Sequence, residues 1–354
     1  MRDVRPSFSH LRRLVDERGI WQHAVGTEPN PAHGYCLDDA ARAAIVLTRL
    51  ASTDPQWRRP LDTCRRFVDV ALAGAGAARN FMDASGRWLD PPHHGDHVGR
   101  AIWALGVLSA DTDDRHASWA ADLLVRTAAD QSRQAHVSLH TQTYALLGFA
   151  ACGDREAVTA LGGAALDDLC ARLPASAAWP WPERSVRYDA GRIPQAMIAA
   201  GQRLHHHHAV DAGLGLLDWL TELVAPGHRP HHYPGCVGLV PGAPLIDTGD
   251  EQPLEAAAFA AAHAAAAGVT GSPLHATQVR RALAWFHGDN RLATPLVDDH
   301  RGACHDGLGR WTRNDNCGAE STIAYVETWL HAEDHCPEPP SAVGRHDKGD
   351  ENGP

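Results

Sequence analysis

Two adjacent carboxylates, Asp38 and Asp39, end a polar loop and open a helix-forming run, AHGYCLDDAARAAIVL, with Arg42 three residues after Asp39. The same arrangement returns twice. Asp96 leads into HVGRAIWALG with Arg100 one turn on, and Asp189 leads into AGRIPQAMIAAG with Arg192 three residues on. An Asp at a helix start and an Arg one turn inside it share one end of one face. Capping needs a single Asp and is worth about 1 kcal/mol. Two in a row, with His23, His33 and Tyr35 delivered by the preceding loop, exceed that need. An Arg beside a buried carboxylate lowers its pKa, which suits a base or a hydroxyl acceptor better than an acid.

Two glutamates complete the candidate chemistry. Glu183 follows Trp179 and Trp181 in AWPWPERSVRYD. Indole faces stack on sugar rings, and a carboxyl against an apolar wall has a raised pKa, as a general acid requires. Pro180 and Pro182 hold that segment extended, so the two indoles face one way. Glu320, in NCGAEST, falls in a first helical turn, where a negative side chain is favourable. The expected catalytic set is Glu183 or Glu320 as acid, with Asp39 and Asp96 as base or anchor. The expected substrate-binding set is His23, His33, Tyr35, Asp38, His94, Arg100, Trp179, Trp181, Tyr188, Asp189, Arg192, His305, Asp306 and Asn316. Metal and cofactor are expected to be absent. The one zinc alternative, Cys236, Cys304 and His305, lacks close Cys pairing. No Gly-rich loop has nucleotide spacing, and no Ser sits in a nucleophile elbow.

The elements that must position these residues are helices. Alanine dominates many runs, and β-branched alternation is sparse. Polar starts fall near positions 39, 96, 141, 189, 252 and 318, each followed by a small, apolar helical run and, for all but the last, an amphipathic partner. Phe8 to Arg18 reads as a further short helix. The pattern predicts an all-α (α/α)6 toroid of about six hairpins, with the six polar starts gathered at one mouth. Residues 1–333 read as one domain and 334–354 as a disordered polar tail.

Composition narrows the partners. A formal net charge of −11 argues against nucleic acid and anionic membrane surfaces, which attract basic stripes. No run is apolar enough to span a membrane, and the N-terminus lacks the apolar core of a secretory signal, so a cytoplasmic location is expected. The eight Cys are scattered, as in a chain that keeps them reduced and buried. The His205–His208 run reads as a solvated helix face.

The stretches GYCLDDAAR, HHGDHVGRAIWALG, YDAGRIPQAMI, CHDGLG and NCGAEST together resemble a bacterial family of six-hairpin glycosidase-like domains, found alone or beside glycosyltransferase domains. The likeness covers about Leu11 to Leu330. The family's motifs usually read DDNAR, YDNAR and NQGAEST; here Ala40 replaces the Asn of the first, Ala190 and Gly191 replace the Asn and Ala of the second, and Cys317 replaces the Gln of the third. The resemblance implies an (α/α)6 fold, carbohydrate metabolism, an oligosaccharide or glycoside as ligand, and a glycosyltransferase as possible partner. The first expectation is therefore a glycoside hydrolase with two carboxyls flanking the scissile bond. Toroid glycosidases more often invert, so inversion is expected. The alternatives are a sugar epimerase, in which His23, His94 and His305 would exchange protons, and a non-catalytic sugar-binding partner of a glycosyltransferase.

Overall fold

The computed structural model describes residues 6–72, 76–111, 116–153, 155–174, 176, 178–234, 238–242 and 250–335. Twelve α-helices organise them. Six form an inner ring: α2 (Leu37–Thr53), α4 (Asp96–Ser109), α6 (Leu139–Ala151), α8 (Arg192–Leu204), α10 (Pro253–Thr270) and α12 (Ala319–His335). Each packs on the next, and α12 packs back on α2, so the ring closes. Outside it lie α3 (Arg58–Ala71), α5 (Ala117–Gln131), α7 (Arg155–Ala171), α9 (His207–Val224) and α11 (Pro273–Phe286), each beside the inner helix that precedes it. This is the (α/α)6 toroid.

The sixth outer position is filled from the other end of the chain. After α12 no partner follows among the described residues, and α1 (Ser9–Leu14), shorter than expected from sequence, packs there instead. Phe8 anchors it edge-on to Tyr325 and Trp329, and the His10 ring bonds the Cys317 carbonyl oxygen at 2.9 Å. The expected polar tail, from 336 onward, lies outside the described residues, and α12 itself runs to His335. None of the described helices is long and apolar enough to cross a membrane.

Local sequence explains the helix starts. Pro253 and Pro273 occupy first-turn positions, where no N–H is needed. The Ser138 hydroxyl caps α6 by accepting from the Thr141 N–H at 2.9 Å. The inner helices pack closely because their facing residues are small. A Cβ on Gly106 would sit 2.1 Å from the Gly148 carbonyl oxygen, and one on Gly148 would sit 2.5 Å from that of Ile102. Helices α4 and α6 therefore meet backbone to backbone.

Short antiparallel pairs tie the loops together. Strand β1 (Ala24–Val25) pairs β2 (Glu28–Pro29), and β3 (Tyr35–Cys36) pairs β4 (Phe81–Met82). Strand β5 (Asp250–Glu251) pairs β8 (Leu308–Gly309), and β6 (Val297–Asp298) pairs β7 (Ala303–Cys304). The β3–β4 pair joins the loops leading into α2 and α4, and the β5–β8 pair joins those leading into α10 and α12.

The α4–α6 contact is testable. Gly106→Ala forces backbone apart and should destabilise by about 1–3 kcal/mol. Gly215→Ala in α9, whose Cβ would meet nothing within 4 Å, should be neutral or gain up to about 1 kcal/mol. Urea unfolding of both variants checks this; equal midpoints would remove the close-packing argument.

Candidate active site

The three helix-start arginines meet at one end of the ring. On α2, Arg42 Nη1 contacts Asp39 Oδ1 at 3.1 Å and Glu320 Oε2, at the start of α12, at 2.7 Å. Its Nη2 donates to the Tyr188 hydroxyl at 2.8 Å. On α4, Arg100 donates to Asp38 at 2.7 Å, to the hydroxyls of Tyr144 and Tyr188, and lies 3.4 Å from Asp189. On α8, Arg192 bonds Asp189 at 3.2 Å and grips Glu327 of α12 with two N–H groups at 2.8 and 2.7 Å. The Tyr144 hydroxyl of α6 donates to Asp189 at 2.6 Å. Asp38 also accepts from the Asn80 side chain at 3.0 Å.

The turn before α8 is strained into this arrangement. Tyr188 and Asp189 have φ of 23° and 55°, in the region that disfavours side chains. The Glu255 carboxylate, in the first turn of α10, holds the turn by accepting from the Asp189 N–H at 2.5 Å and the Ala190 N–H at 3.2 Å. The His140 Nε2 bonds the Tyr188 carbonyl oxygen at 2.8 Å. Gly191 permits the approach to α10, since a Cβ there would lie 2.5 Å from the Ala258 carbonyl carbon.

Beside the web opens a cavity of about 300 Å³. Its charged lining is Asp38, Asp39, Arg42, Asp306 and Glu320, with Tyr188, His23, Gln22, Gln252 and Ser321 as further polar groups and Phe81 and Cys36 as apolar ones. Asp306 accepts from the Gly318 N–H at 2.7 Å and from the Ser321 hydroxyl, so it caps the start of α12.

The carboxyls differ in their grip on a proton. Burial, with Glu320 and Asp38 nearby, pushes Asp39 up to about 6 against the pull of Arg42. Burial acts on Asp38 too, but Arg100 and Arg42 outweigh it and hold that carboxyl below its usual range. Asp189 is likewise buried and held low by Arg192, Arg100 and Arg42. Glu327 is buried yet falls to about 2 because of Arg192. Burial, with Asp189 nearby, pushes Glu255 up to about 8 despite its two backbone N–H bonds.

The structure brings together Asp38, Asp39, Arg100, Tyr188, Asp189, Arg192 and Glu320, with His23 and Asp306 on the cavity wall. Other expected residues sit elsewhere. Asp96 accepts from the Ser138 and Thr141 hydroxyls and ties α4 to the cap of α6. His94 lies against Gln131 and Asp130 of α5. Tyr35 is buried, stacked on Trp21 at 4.2 Å, and donates to Asp16. His33 packs edge-on to His23 at 4.6 Å. The indole wall is not at the cavity: Trp181 is 2% exposed and stacks on Trp219 of α9, and Trp179 meets the same ring edge-on. Glu183 enters that corner through its backbone oxygen, which accepts from the Trp179 N–H. The His305 ring lies 3.8 Å from the Cys317 sulfur. Asn316 accepts from the Gly26 N–H. Of the zinc alternative, Cys304 is buried and its thiol faces the His305 carbonyl oxygen, while Cys236 lies outside the described residues.

Sequence reasoning missed Glu255, Tyr144 and Glu327. Glu255 had a signal, since it falls in the first turn of α10 as Asp39 and Glu320 fall in the first turns of α2 and α12.

No protein-family model and no curated protein matches the chain. Solved structures share its fold. A D-mannose isomerase superposes with a TM-score of 0.69 at 13% identity, over 93% of this chain and 99% of its own. The cellobiose 2-epimerase of Bacillus thermoamylovorans B4167 gives 0.70 at 10% identity, over 92% and 95%. An α-1,6-mannanase of Salegentibacter sp. HEL1_6, inactive through two Asp-to-Asn changes at consecutive positions and bound to α-1,6-mannotriose, gives 0.63 at 11% identity, over 93% and 98%.

The proton affinities set a pH trend. Glu255, raised to about 8, and buried Glu251, raised to about 7, bind protons in the folded state that an unfolded glutamate, near 4.3, does not. Stability therefore falls as pH rises towards 8. Buried histidines kept neutral, such as His231 at about 4, oppose this only below their unfolded value of about 6.5. The melting temperature should fall from pH 6.5 to 8.5, and less steeply in Glu255→Gln. A parallel fall in both proteins would exclude Glu255 as a source.

Proposed function

We propose that this chain is a carbohydrate-active enzyme of the glycoside-hydrolase type, with Asp39 and Glu320 as its working carboxyl pair. The observation that carries the reading is the shared grip on Arg42: one buried carboxyl raised to about 6 and one partly open carboxyl, salt-bridged to the same guanidinium, both on the wall of one cavity. Two carboxyls whose surroundings differ in this way suit an acid and its partner. Asp39, expected from sequence as base or anchor, takes the role of acid that sequence alone offered to Glu183 or Glu320.

The fold neighbours support a sugar substrate, since they act on mannose, cellobiose and α-1,6-mannan oligosaccharides. The mannanase adds a chemical hint: replacing two consecutive aspartates left it inactive, and Asp38–Asp39 is a consecutive pair in this cavity. Epimerisation through histidines has less support, because His23 lines the cavity but His94 and His305 do not.

The chemistry follows from the spacing. Both carboxyls contact one Arg42 nitrogen, at 3.1 and 2.7 Å, so their nearest oxygens lie under about 6 Å apart. Inverting pairs stand roughly 6.5–9.5 Å apart and retaining pairs about 5–5.5 Å. That bound favours retention over the inversion expected from sequence. Asp39 protonates the departing glycosidic oxygen while the Glu320 carboxylate attacks the anomeric carbon. Water, deprotonated by Asp39, then cleaves the glycosyl ester and frees Glu320. Asp38, held ionised by Arg100, anchors sugar hydroxyls. A glycosyltransferase partner fits this reading as the source or user of the glycan.

The test is a glycan panel that includes α-1,6-mannotriose, glucosides and mannosides. Asp39→Asn and Glu320→Gln should each lower kcat by at least about a hundredfold, the usual scale for lost acid–base help. Glu183→Gln should stay within about twofold. The alkaline limb of kcat/KM should begin near pH 6, where Asp39 loses its proton. Proton NMR of the first product should show the substrate's anomer. A wild type that binds a glycan without cleaving or isomerising it would give way to the sugar-binding partner reading.

A further inference from the structure

Tyr188 is treated differently from every other hydroxyl in the charged web. Its oxygen accepts from Arg42 Nη2 at 2.8 Å and from Arg100 Nη2 at 2.5 Å. A phenolic oxygen has two acceptor sites and one proton, so both acceptor sites are taken. The proton has no acceptor among the described residues. The contrast is Tyr144, whose hydroxyl also accepts from Arg100 but passes its proton to Asp189. Tyr188 lines the cavity, so its remaining hydrogen-bonding capacity is that of a donor facing the ligand space.

The orientation is enforced from several sides. The ring lies against the His140 imidazole at 5.8 Å and under the Arg100 guanidinium at 5.5 Å. The backbone carries positive φ at Tyr188 and at Asp189, held by His140 and Glu255. Strain of this kind, about 1–3 kcal/mol per residue, persists where the surroundings over-determine it, commonly at ligand sites. Two cationic donors on one oxygen also polarise its O–H and strengthen it as a donor.

We infer that the Tyr188 hydroxyl is the specificity-determining donor of this cavity, giving its free proton in a hydrogen bond to one hydroxyl oxygen of a bound sugar. The inference rests on the carbohydrate reading above and adds a demand to it. The ligand must present an acceptor oxygen at that point, and a sugar lacking that one hydroxyl should be discriminated against through Tyr188 alone. Of the two guanidiniums only Arg42 lines the cavity, and three of its five N–H groups are already given to Asp39, Glu320 and the Tyr188 oxygen.

The experiment pairs Tyr188→Phe with the full set of monodeoxy 4-nitrophenyl mannosides and glucosides. On the parent glycoside the variant should lose on the order of tenfold in kcat/KM, the scale of one hydrogen bond to a polarised donor. On one monodeoxy glycoside, wild type and variant should agree within about twofold. A uniform loss on every deoxy glycoside, or no loss on the parent, overturns the inference. If the variant fails to fold, 3-fluorotyrosine at position 188 keeps the oxygen and sharpens the donor. Discrimination between parent and that deoxy sugar should then grow, and unchanged discrimination overturns the inference. If wild type cleaves none of the glycosides, the hydrolase reading falls, and calorimetric Kd values for mannose, glucose and their deoxy forms decide Tyr188 instead. Equal Kd values in wild type and variant, or no binding at all, overturn it.

Discussion

The structure depends on keeping three guanidiniums neutralised where water is scarce. Arg100 has only 3% of its side chain exposed and Arg192 6%. Leaving such a charge unpaired costs roughly 3–5 kcal/mol. The partners that prevent this come from α2 (Asp38 and Asp39), α6 (Tyr144), the turn before α8 (Tyr188 and Asp189) and α12 (Glu320 and Glu327), while Glu255 of α10 holds that turn through two backbone N–H groups. The hydrophobic packing of small residues closes the ring, but it is indifferent to register at the polar end. The ion pairs are what fix which helix start faces which, and so they fix the shape of the cavity.

The same demand explains the irregular turn before α8. A helix that simply began earlier would carry Asp189 away from Arg100. Two residues in left-handed backbone conformation bring its carboxyl between Arg100 and Arg192 and its N–H to Glu255. The strain is offset by bonds that a relaxed turn would not make.

Much of this was legible in the chain. The spacing of Asp38, Asp39 and Arg42, and of Asp189 and Arg192, states that each pair shares a helix end. The repetition of that arrangement gave the toroid. What spacing does not state is which neighbour the face meets. Asp96 and Arg100 follow the same rule, yet only Arg100 turns to the ring centre, while Asp96 faces the cap of α6 one residue-step away. Likewise the alternation of Trp179 and Trp181 predicted that both indoles face one way, and they do; the way is towards Trp219 of an outer helix. Glu255 was hidden because a lone Glu ahead of an alanine run looks like ordinary helix-start chemistry. That α1 fills the sixth outer position was hidden because the pattern of a short terminal helix does not state which helix it packs against.

Charge arithmetic then bears on where acidity arises. Around the three guanidiniums stand five carboxyls, Asp38, Asp39, Asp189, Glu320 and Glu327, with Glu255 as a sixth behind the Asp189 turn. If all ionised, the web would hold an excess of negative charge in a medium that screens it poorly. The relief is to keep a proton on the carboxyls with the least favourable balance. Asp39 and Glu255 are those groups: each is deeply buried, each has an anionic neighbour, and neither is the main partner of a well-placed guanidinium. An acid of this kind needs no apolar wall of the sort expected beside Glu183. Its proton is held first by burial and then by its anionic neighbours, so its release is tied in part to their charge. A ligand that displaces Arg42 from Glu320 would leave more of that guanidinium to Asp39, and would thereby loosen the proton at the moment the cavity is filled.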